Sequence, residues 1–230
     1  MQMEYKGVIE KKILMKVTSR ARPDKLINCI REYLRLALNP KDMVWLITLD
    51  HDDERCNTLS FIDSLNHIID SPQIAFGHSN NKIHAINRDI NQLHIPHWDI
   101  LLCISDDQLP IVHGWDRIIR EAMPNHLDAS LWFNDGSQSR INTQEILGYN
   151  YYQRDKHIYN PLFKSFYCDN YSTLLAEKRG CLLKFNQCII EHKHPACRKK
   201  DSLPQDKLYD KNQLYWAEDE ATFNQIKNGL

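Results

Sequence analysis

Two adjacent carboxylates, Asp106 and Asp107, are the side chains of this sequence best suited to chemistry. They follow Ser105 at the end of an apolar run, residues 98–104, which predicts a buried strand. Neighbouring carboxylates repel each other unless a cation or a hydrogen-bond donor holds them. A divalent cation that also binds diphosphate oxygens suits such a pair, because hard cations prefer carboxylate and phosphate oxygen. The alternative is an acidic loop or helix cap, the usual role of an isolated Asp-Asp pair.

Polar clusters follow two other apolar runs in the same way. Residues 13–17 lead into a polar loop at 18–22, and residues 43–49 lead into an acidic loop at 50–53. Strands and helices alternate as far as residue 123, which predicts an α/β fold with a mostly parallel central sheet flanked by helices. Such sheets bind ligands beyond the carboxyl ends of their strands. We therefore expect the three polar clusters to meet at one edge of the sheet.

The remaining elements are predicted from hydrophobic periodicity and from turn residues. The first half has a helix that begins at Pro23 and runs to residue 38, a helix over 59–69, a strand over 73–77 and a helix over 80–93. The second half has strands over 129–134, 146–152 and 182–191 and a helix over 169–178, and it closes with a helix over 207–227. We expect a single domain over 1–230, with a donor half at 1–123 and an acceptor half at 124–230.

Composition narrows the class of protein. The chain has 230 residues, 42% of them hydrophobic, and a formal net charge of -1, so nothing indicates a nucleic-acid partner or a membrane surface. No apolar run approaches the roughly 20 residues of a membrane helix, and the polar residues 1–12 do not resemble a signal peptide. Seven scattered cysteines, an odd number, favour free thiols in a reducing cytoplasm.

Taken in order, four segments resemble inverting glycosyltransferases with the A-type nucleotide-sugar fold, the family-two-like group. Residues 17–23 are similar to the nucleotide loop, 49–53 to the acidic end of the second strand, 81–87 to the element near the diphosphate, and 104–110 to the Asp-x-Asp segment. The resemblance implies a Rossmann-like domain that uses a nucleotide diphosphate sugar donor with Mn²⁺ or Mg²⁺. The acceptor, whether glycan, lipid or protein, is not identified by the sequence.

The resemblance also implies roles for individual residues. Aligned on Pro110, the first acid of the family's metal segment falls at Ile104, which leaves Asp106 as the expected direct metal ligand. His192 and His194 lie at a strand end where the family has a metal-binding histidine. Asp169 matches the position of the general base, although Cys168 replaces the glutamate that precedes the base in the family. The expected contacts to the donor are Thr18, Ser19, Arg20, Arg22, Asp50, Asp52, Asp53, Lys82, Asn87, Ser105 and Asp107.

Several alternatives stay open at the level of the sequence. Asp169 precedes a predicted helix and is also a candidate N-cap, in which case Asp155 or Glu145 becomes the candidate base. A zinc site formed by Cys188, His192, His194 and Cys197 is a rival to the histidine–manganese site. For the whole chain, the alternatives are a nucleotidyltransferase on a similar fold and a non-catalytic module that binds nucleotide sugars or glycans. A nucleotidyltransferase is disfavoured because residues 18–23 contain no glycine.

Overall fold

Four parallel strands form the half of the sheet that carries the polar loops. The computed structural model describes residues 11–194 and 207–230. The strands are β1 (Ile13–Thr18), β2 (Met43–Asp50), β3 (Gln73–Gly77) and β4 (Ile100–Ile104). They lie in the order β3-β2-β1-β4, with Val17 opposite Ile47 on one side and Ile104 on the other. Their carboxyl ends therefore lie along one edge.

Three strands from the second half complete a seven-stranded sheet, in the order β3-β2-β1-β4-β7-β6-β8. They are β6 (Ser130–Phe133), β7 (Ile146–Gly148) and β8 (Leu182–Phe185). Within this sheet of described strands, only β7 runs antiparallel to its neighbours, β4 and β6. Two further strands, β5 (Gln108–Pro110) and β9 (Ile190–His192), form a separate antiparallel ribbon.

Helices cover both faces of the sheet. Alternate residues of β1 point to opposite faces: Met15 and Val17 belong to one core cluster, and Leu14 belongs to the other. The first cluster packs under α1 (Pro23–Leu36), α2 (Leu59–Ile68) and α4 (Trp115–Ala122). The second packs under α3 (Lys82–Asn87), α5 (Tyr149–Asp155), α6 (Cys168–Lys178) and α8 (Trp216–Ile226), and α7 (Lys207–Gln213) precedes α8. The predicted mostly parallel α/β sheet is confirmed.

Four predicted elements are wrong in extent. The helix predicted over 80–93 is limited to α3, because Arg88 is extended with a ψ of 151°. The strand predicted over 146–152 ends at Gly148, where a Cβ would lie 2.3 Å from the Leu127 carbonyl oxygen, and α5 follows. The predicted strand over 182–191 divides between two sheets as β8 and β9. The closing helix divides into α7 and α8. These breaks depend on tertiary contacts that periodicity does not register.

None of the described helices has the length and the apolar character that crossing a membrane would require.

Candidate functional site

A cavity of about 640 Å³ lies beyond the carboxyl ends of β1, β2 and β4. It extends between α3, the β5–β9 ribbon, the first turn of α6 and the helix α7. The structure thus brings together residues that are far apart along the chain. The predicted site residues that line the cavity are Thr18, Ser19, Arg20, Arg22, Asp50, Lys82, Ser105, Asp106, Asp107, Asp169, His192 and His194.

Asp106 is held by the loop that follows β1. Its Oδ1 lies 3.0 Å from Arg22 Nη1, and its Oδ2 accepts a hydrogen bond of 3.2 Å from the Ser19 hydroxyl. Burial raises the pKa of Asp106, and the Arg22 charge only partly offsets this effect. Both carboxylate oxygens of Asp106 therefore already have partners within the protein.

Asp107 has a different set of contacts. Its Oδ2 accepts a 2.9 Å hydrogen bond from the Tyr209 hydroxyl and lies 3.6 Å from His192 Nε2. Its Oδ1 is buried and has no hydrogen-bond partner in the described part of the chain. Burial alone would raise the pKa of Asp107, but the nearby side chains of His192 and Ser105 help to hold it well below its usual range. These groups favour the ionised form of Asp107.

The β5–β9 ribbon is what brings His192 to this carboxylate. Gln108, the residue after Asp107, pairs with His192 across the ribbon. The backbone N–H of Lys193 donates to the Asp107 carbonyl oxygen at 2.7 Å, which fixes the register at this end. The His194 ring centroid lies 5.5 Å from that of His192, and burial lowers the pKa of His194 to about 4. Both imidazoles therefore lie on the carboxylate side of the cavity.

The two arginines among the expected donor contacts, Arg20 and Arg22, are both paired with acids. Arg20 donates to Asp50 at 2.8 Å and to both oxygens of Asp52 at 2.8 and 2.7 Å. Arg88 lies 3.3 Å from the other oxygen of Asp50. Lys82, at the start of α3, is exposed in the cavity and makes no hydrogen bond or ion pair within the described residues. Lys82 is therefore free to meet an anionic ligand, and Lys211 of α7, which is also exposed and lines the cavity, is a second such cation.

Three of the expected donor contacts do not line the cavity. Asp53 is buried and accepts hydrogen bonds from the backbone of Ala21 at 2.7 Å and of Arg55 at 3.1 Å, so it shapes two loops. Asn87 joins α3 to the backbone of Ile158 and Tyr159 through its amide. Asp52 lies outside the cavity lining and orients Arg20. In the sequence these three residues stand in loops or at the end of a helix. Residues at such positions can contact either a ligand or the protein backbone, so sequence position alone does not separate the two roles.

Asp169 lies in the first turn of α6 and lines the cavity. The N-cap of α6 is Tyr167, which has a left-handed φ of 58°, so the alternative in which Asp169 caps the helix is wrong. Burial raises the pKa of Asp169. Of the other acids considered, Asp155 is paired with Arg179 away from the cavity. Glu145 is buried behind α6, and its Oε1 lies 2.8 Å from the Ser172 hydroxyl.

Sequence reasoning did not single out Tyr209, which lines the cavity, or Arg88, which contacts the lining residue Asp50. Tyr209 reaches the carboxylates from α7: its hydroxyl donates to Asp107, and its ring lies 4.3 Å from the Arg22 guanidinium carbon. The Arg88 guanidinium lies 3.3 Å from Asp50 Oδ1 and also donates to the Leu49 carbonyl oxygen at 2.7 Å, so it holds the end of β2 in place. A single tyrosine in a polar helix carries no motif, and no spacing rule could have identified it.

The residues present fit a hard divalent cation in one respect. Among the residues that the structure describes, none donates to the buried Oδ1 of Asp107, and His192 Nε2 lies 3.6 Å from the other oxygen of the same carboxylate. Within residues 11–194 and 207–230, no three His, Cys, Asp or Glu side chains are grouped as a complete metal site. An ion such as Mg²⁺ commonly uses one or two carboxylates together with water and substrate phosphates, so a partial set is sufficient.

The rival zinc site is not supported by the residues that can be described. Cys188 directs its thiol to the Ile190 carbonyl oxygen at 3.6 Å. Cys197 lies outside the described residues, and no grouping of three potential ligands includes Cys188 within them.

The fold places the chain in a structural class. It is similar to S. aureus TarS in complex with UDP-GlcNAc, with a TM-score of 0.60 and 10% sequence identity over 78% of this chain. It is also similar to the mannosyltransferase PcManGT from Pyrobaculum calidifontis in complex with GDP-Man and Mn²⁺, with a TM-score of 0.64 and 7% identity over 92% of this chain. The chain has the A-type glycosyltransferase fold.

The comparisons also show how much of each similar structure this chain covers. The chain spans 58% of the TarS structure and 62% of the PcManGT structure. A third similar structure is 4-diphosphocytidyl-2C-methyl-D-erythritol synthase from Anaerococcus prevotii, with a TM-score of 0.50, 12% identity, and coverage of 89% of this chain and 96% of that one. No protein-family model and no curated protein sequence matches this chain.

Proposed function

We propose that this protein is a glycosyltransferase that moves a sugar from a nucleotide diphosphate donor to an acceptor hydroxyl with the help of a divalent cation. The observation that carries the proposal is the Asp107 carboxylate, which belongs to the wall of a cavity at the carboxyl edge of an A-type fold and whose buried Oδ1 has no hydrogen-bond partner within the described residues. The solved structures with the same fold that bind UDP-GlcNAc, or GDP-Man and Mn²⁺, support this type of donor.

Asp107 and His192 are the residues that would hold the cation, since Asp106 is already engaged by Arg22 and Ser19. This assignment differs from the expectation that Asp106 is the direct ligand. A bound Mn²⁺ or Mg²⁺ supplies positive charge that stabilises a departing diphosphate. Arg22 keeps Asp106 paired, and it lies between Asp106 and the Tyr209 ring, where it helps to position the edge of the site.

Lys82 is proposed to bind the diphosphate. An ammonium group without an ion-pair partner gains more binding free energy from a phosphate oxygen than an arginine does, because the arginine must first break its ion pair with a carboxylate. Arg20 and Arg88 instead hold Asp50 at the end of β2, so the donor contacts of this region come from a pre-ordered charge network. Pre-ordering lowers the cost of fixing side chains when the donor binds.

Asp169 is proposed as the general base. A carboxylate within reach of the acceptor hydroxyl removes its proton as the new glycosidic bond forms, which is the chemistry that an inverting reaction requires. Its position on the cavity wall supports the assignment. Burial moves the pKa of Asp169 up towards neutral pH, and a general base is more effective when its pKa lies near the pH of the reaction.

A nucleotidyltransferase is the second candidate function, because the structure from Anaerococcus prevotii has a similar fold over most of both chains. The glycine-free loop at 18–23 argues against it. A non-catalytic module is the third. Two incubations with Mn²⁺ separate the three: one with a panel of nucleotide sugars, and one with a nucleoside triphosphate and a sugar phosphate. Release of nucleoside diphosphate indicates a glycosyltransferase, whereas formation of pyrophosphate and a new nucleotide sugar from a nucleoside triphosphate and a sugar phosphate indicates the second. Binding without turnover indicates the third.

A further inference from the structure

Glu145 is a buried acid that the proposed reaction leaves without a role. It lies just before β7, where its carbonyl oxygen accepts a 2.9 Å hydrogen bond from the Cys103 backbone on β4. Its side chain crosses to α6, and its Oε1 lies 2.8 Å from the Ser172 hydroxyl. No arginine, lysine or histidine of the described residues forms an ion pair with Glu145. A buried, unpaired carboxylate is costly unless it carries a proton.

The geometry around Ser172 decides which protonation state fits. The Ser172 Oγ lies 2.8 Å from Glu145 Oε1 and also 2.8 Å from the Cys168 carbonyl oxygen. Both neighbours can accept a hydrogen bond, but a serine hydroxyl has only one hydrogen to donate. If Glu145 is protonated, its O–H donates to Ser172, and Ser172 donates to Cys168. If Glu145 is ionised, one of the two contacts loses its hydrogen.

This chain of hydrogen bonds ends in the turn that carries the proposed base. Cys168 and Asp169 are the first two residues of α6, and Ser172 lies one turn further on. A second negative charge behind Asp169 would raise its pKa further and oppose its ionisation, whereas a neutral acid does not. Protonation of Glu145 therefore satisfies the hydrogen bonds and also protects the charge of Asp169.

We propose that Glu145 is a positioning residue: a protonated carboxylic acid that fixes the first turn of α6 through Ser172 and so directs Asp169 into the cavity. The catalytic consequence rests on the function proposed above, whereas the tether itself does not. Burial raises the pKa of Glu145 to about 8, in agreement with the hydrogen-bond argument.

The ionisable groups that face Glu145 come from several elements. Asp169 and Cys168 belong to α6, Cys103 to β4 and Tyr151 to α5, and Tyr159 lies in the segment after α5. Burial raises the pKa of the two thiols and the two phenols, which keeps them neutral through the range where Glu145 is expected to titrate. A small cavity of about 20 Å³ beside Glu145 adds Asp155, which is paired with Arg179, and His157, whose pKa is lowered by burial.

The first test does not depend on activity. Backbone amide NMR shifts of residues 168–172 are followed from pH 5 to pH 9 in the wild-type chain and in Glu145→Gln, which replaces the acid by a neutral group of the same shape. We expect the wild-type shifts to follow a titration well above the ordinary glutamate range and the variant to lack it. Shifts that are unaffected by the substitution, or a titration at the ordinary value, would overturn the tether even if the protein proves not to be an enzyme.

The second test measures donor hydrolysis by the same chains. We expect the activity of the wild-type chain to fall as the pH rises past the Glu145 titration, and we expect Glu145→Gln to lack this fall and to keep turnover within about threefold of wild type at lower pH. Glu145→Ala and Ser172→Ala should lower kcat by about 10–100-fold with little change in the donor KM, because the base is misplaced while the donor site is intact. Ser172→Ala covers the case in which Glu145→Ala does not fold. A Glu145→Gln chain as slow as Glu145→Ala would contradict the role of a neutral tether.

Discussion

His192 Nε2 lies 3.6 Å from Asp107 Oδ2, although the two residues belong to opposite halves of the chain. The contact exists because β9 pairs with β5 and sets His192 opposite Gln108. The other oxygen of the Asp107 carboxylate is buried without a partner in the described residues. This arrangement leads to the first prediction, which concerns the metal.

Asp107→Asn should weaken Mn²⁺-assisted binding of a nucleoside diphosphate more than Asp106→Asn. The substitution replaces the carboxylate that we assign to the cation with a neutral amide. We expect the Mn²⁺-assisted affinity to fall by about 10–100-fold, the scale seen when residues around a metal are changed. Calorimetric titration with and without a chelator measures the metal-dependent part of the affinity. Asp63→Asn, an exposed change on α2, is the matched control. A larger loss in Asp106→Asn would restore Asp106 as the direct ligand.

Lys82→Gln should weaken binding of nucleoside diphosphates and leave binding of the corresponding nucleoside nearly unchanged. A hydrogen bond to a charged group contributes about 1.5–3 kcal/mol, so the expected loss is about 10–150-fold for the diphosphate. Binding of both ligands is measured by calorimetry at constant salt. Lys41→Gln, at an exposed site away from the cavity, controls for the change in net charge. Equal losses for diphosphate and nucleoside would show that Lys82 does not contact phosphate.

Asp169→Asn should lower turnover by roughly 10²–10⁴-fold while donor affinity stays close to that of the wild-type chain. The amide keeps the shape of the side chain and its contact with the Asn170 backbone but cannot accept a proton. Transfer rates at saturating donor, together with donor affinity, measure the two quantities separately. Because Tyr167 and not Asp169 caps α6, we expect thermal stability to change little. An active variant would remove Asp169 from the reaction.

Lys16 should make stability increase with pH above neutrality. It is buried in β1, where its ammonium donates to Thr48, and burial lowers its pKa to about 7. Between about pH 7 and the ordinary lysine value of 10.5, the unfolded chain binds a proton that the folded chain does not. The free energy of unfolding therefore rises with pH in this window, by at most roughly 1.4 kcal/mol per pH unit from this group.

Urea unfolding at pH 7, 8 and 9 measures this dependence, and Lys16→Met is the comparison chain because it keeps the length of the side chain without its titration. As the pH rises, the unfolding free energy of the wild-type chain should increase relative to that of Lys16→Met. A difference that is constant across the three pH values would show that Lys16 stays charged in the folded protein.

The sequence by itself determined the parallel half of the fold and the composition of the strand-end clusters. The runs that became β1, β2 and β4 are almost entirely apolar, Lys16 and Thr48 being exceptions within β1 and β2, because both faces of these strands are covered. Polar residues that directly follow such runs must collect at one edge, so Ser19, Asp50 and Asp106 could be placed together without a structure.

Only the tertiary structure decided how those side chains pair. Asp106 and Asp107 are neighbours in sequence, yet one meets Arg22 and the other meets His192 and Tyr209, because the loop after β1, the β5–β9 ribbon and α7 approach them from different sides. Asp53 and Asn87 appeared equivalent to ligand contacts in the sequence, but their side chains bind backbone groups of distant loops. The local pattern of a sequence indicates which residues are polar and where strands end. The partner of each side chain depends on long-range packing, which no short motif encodes.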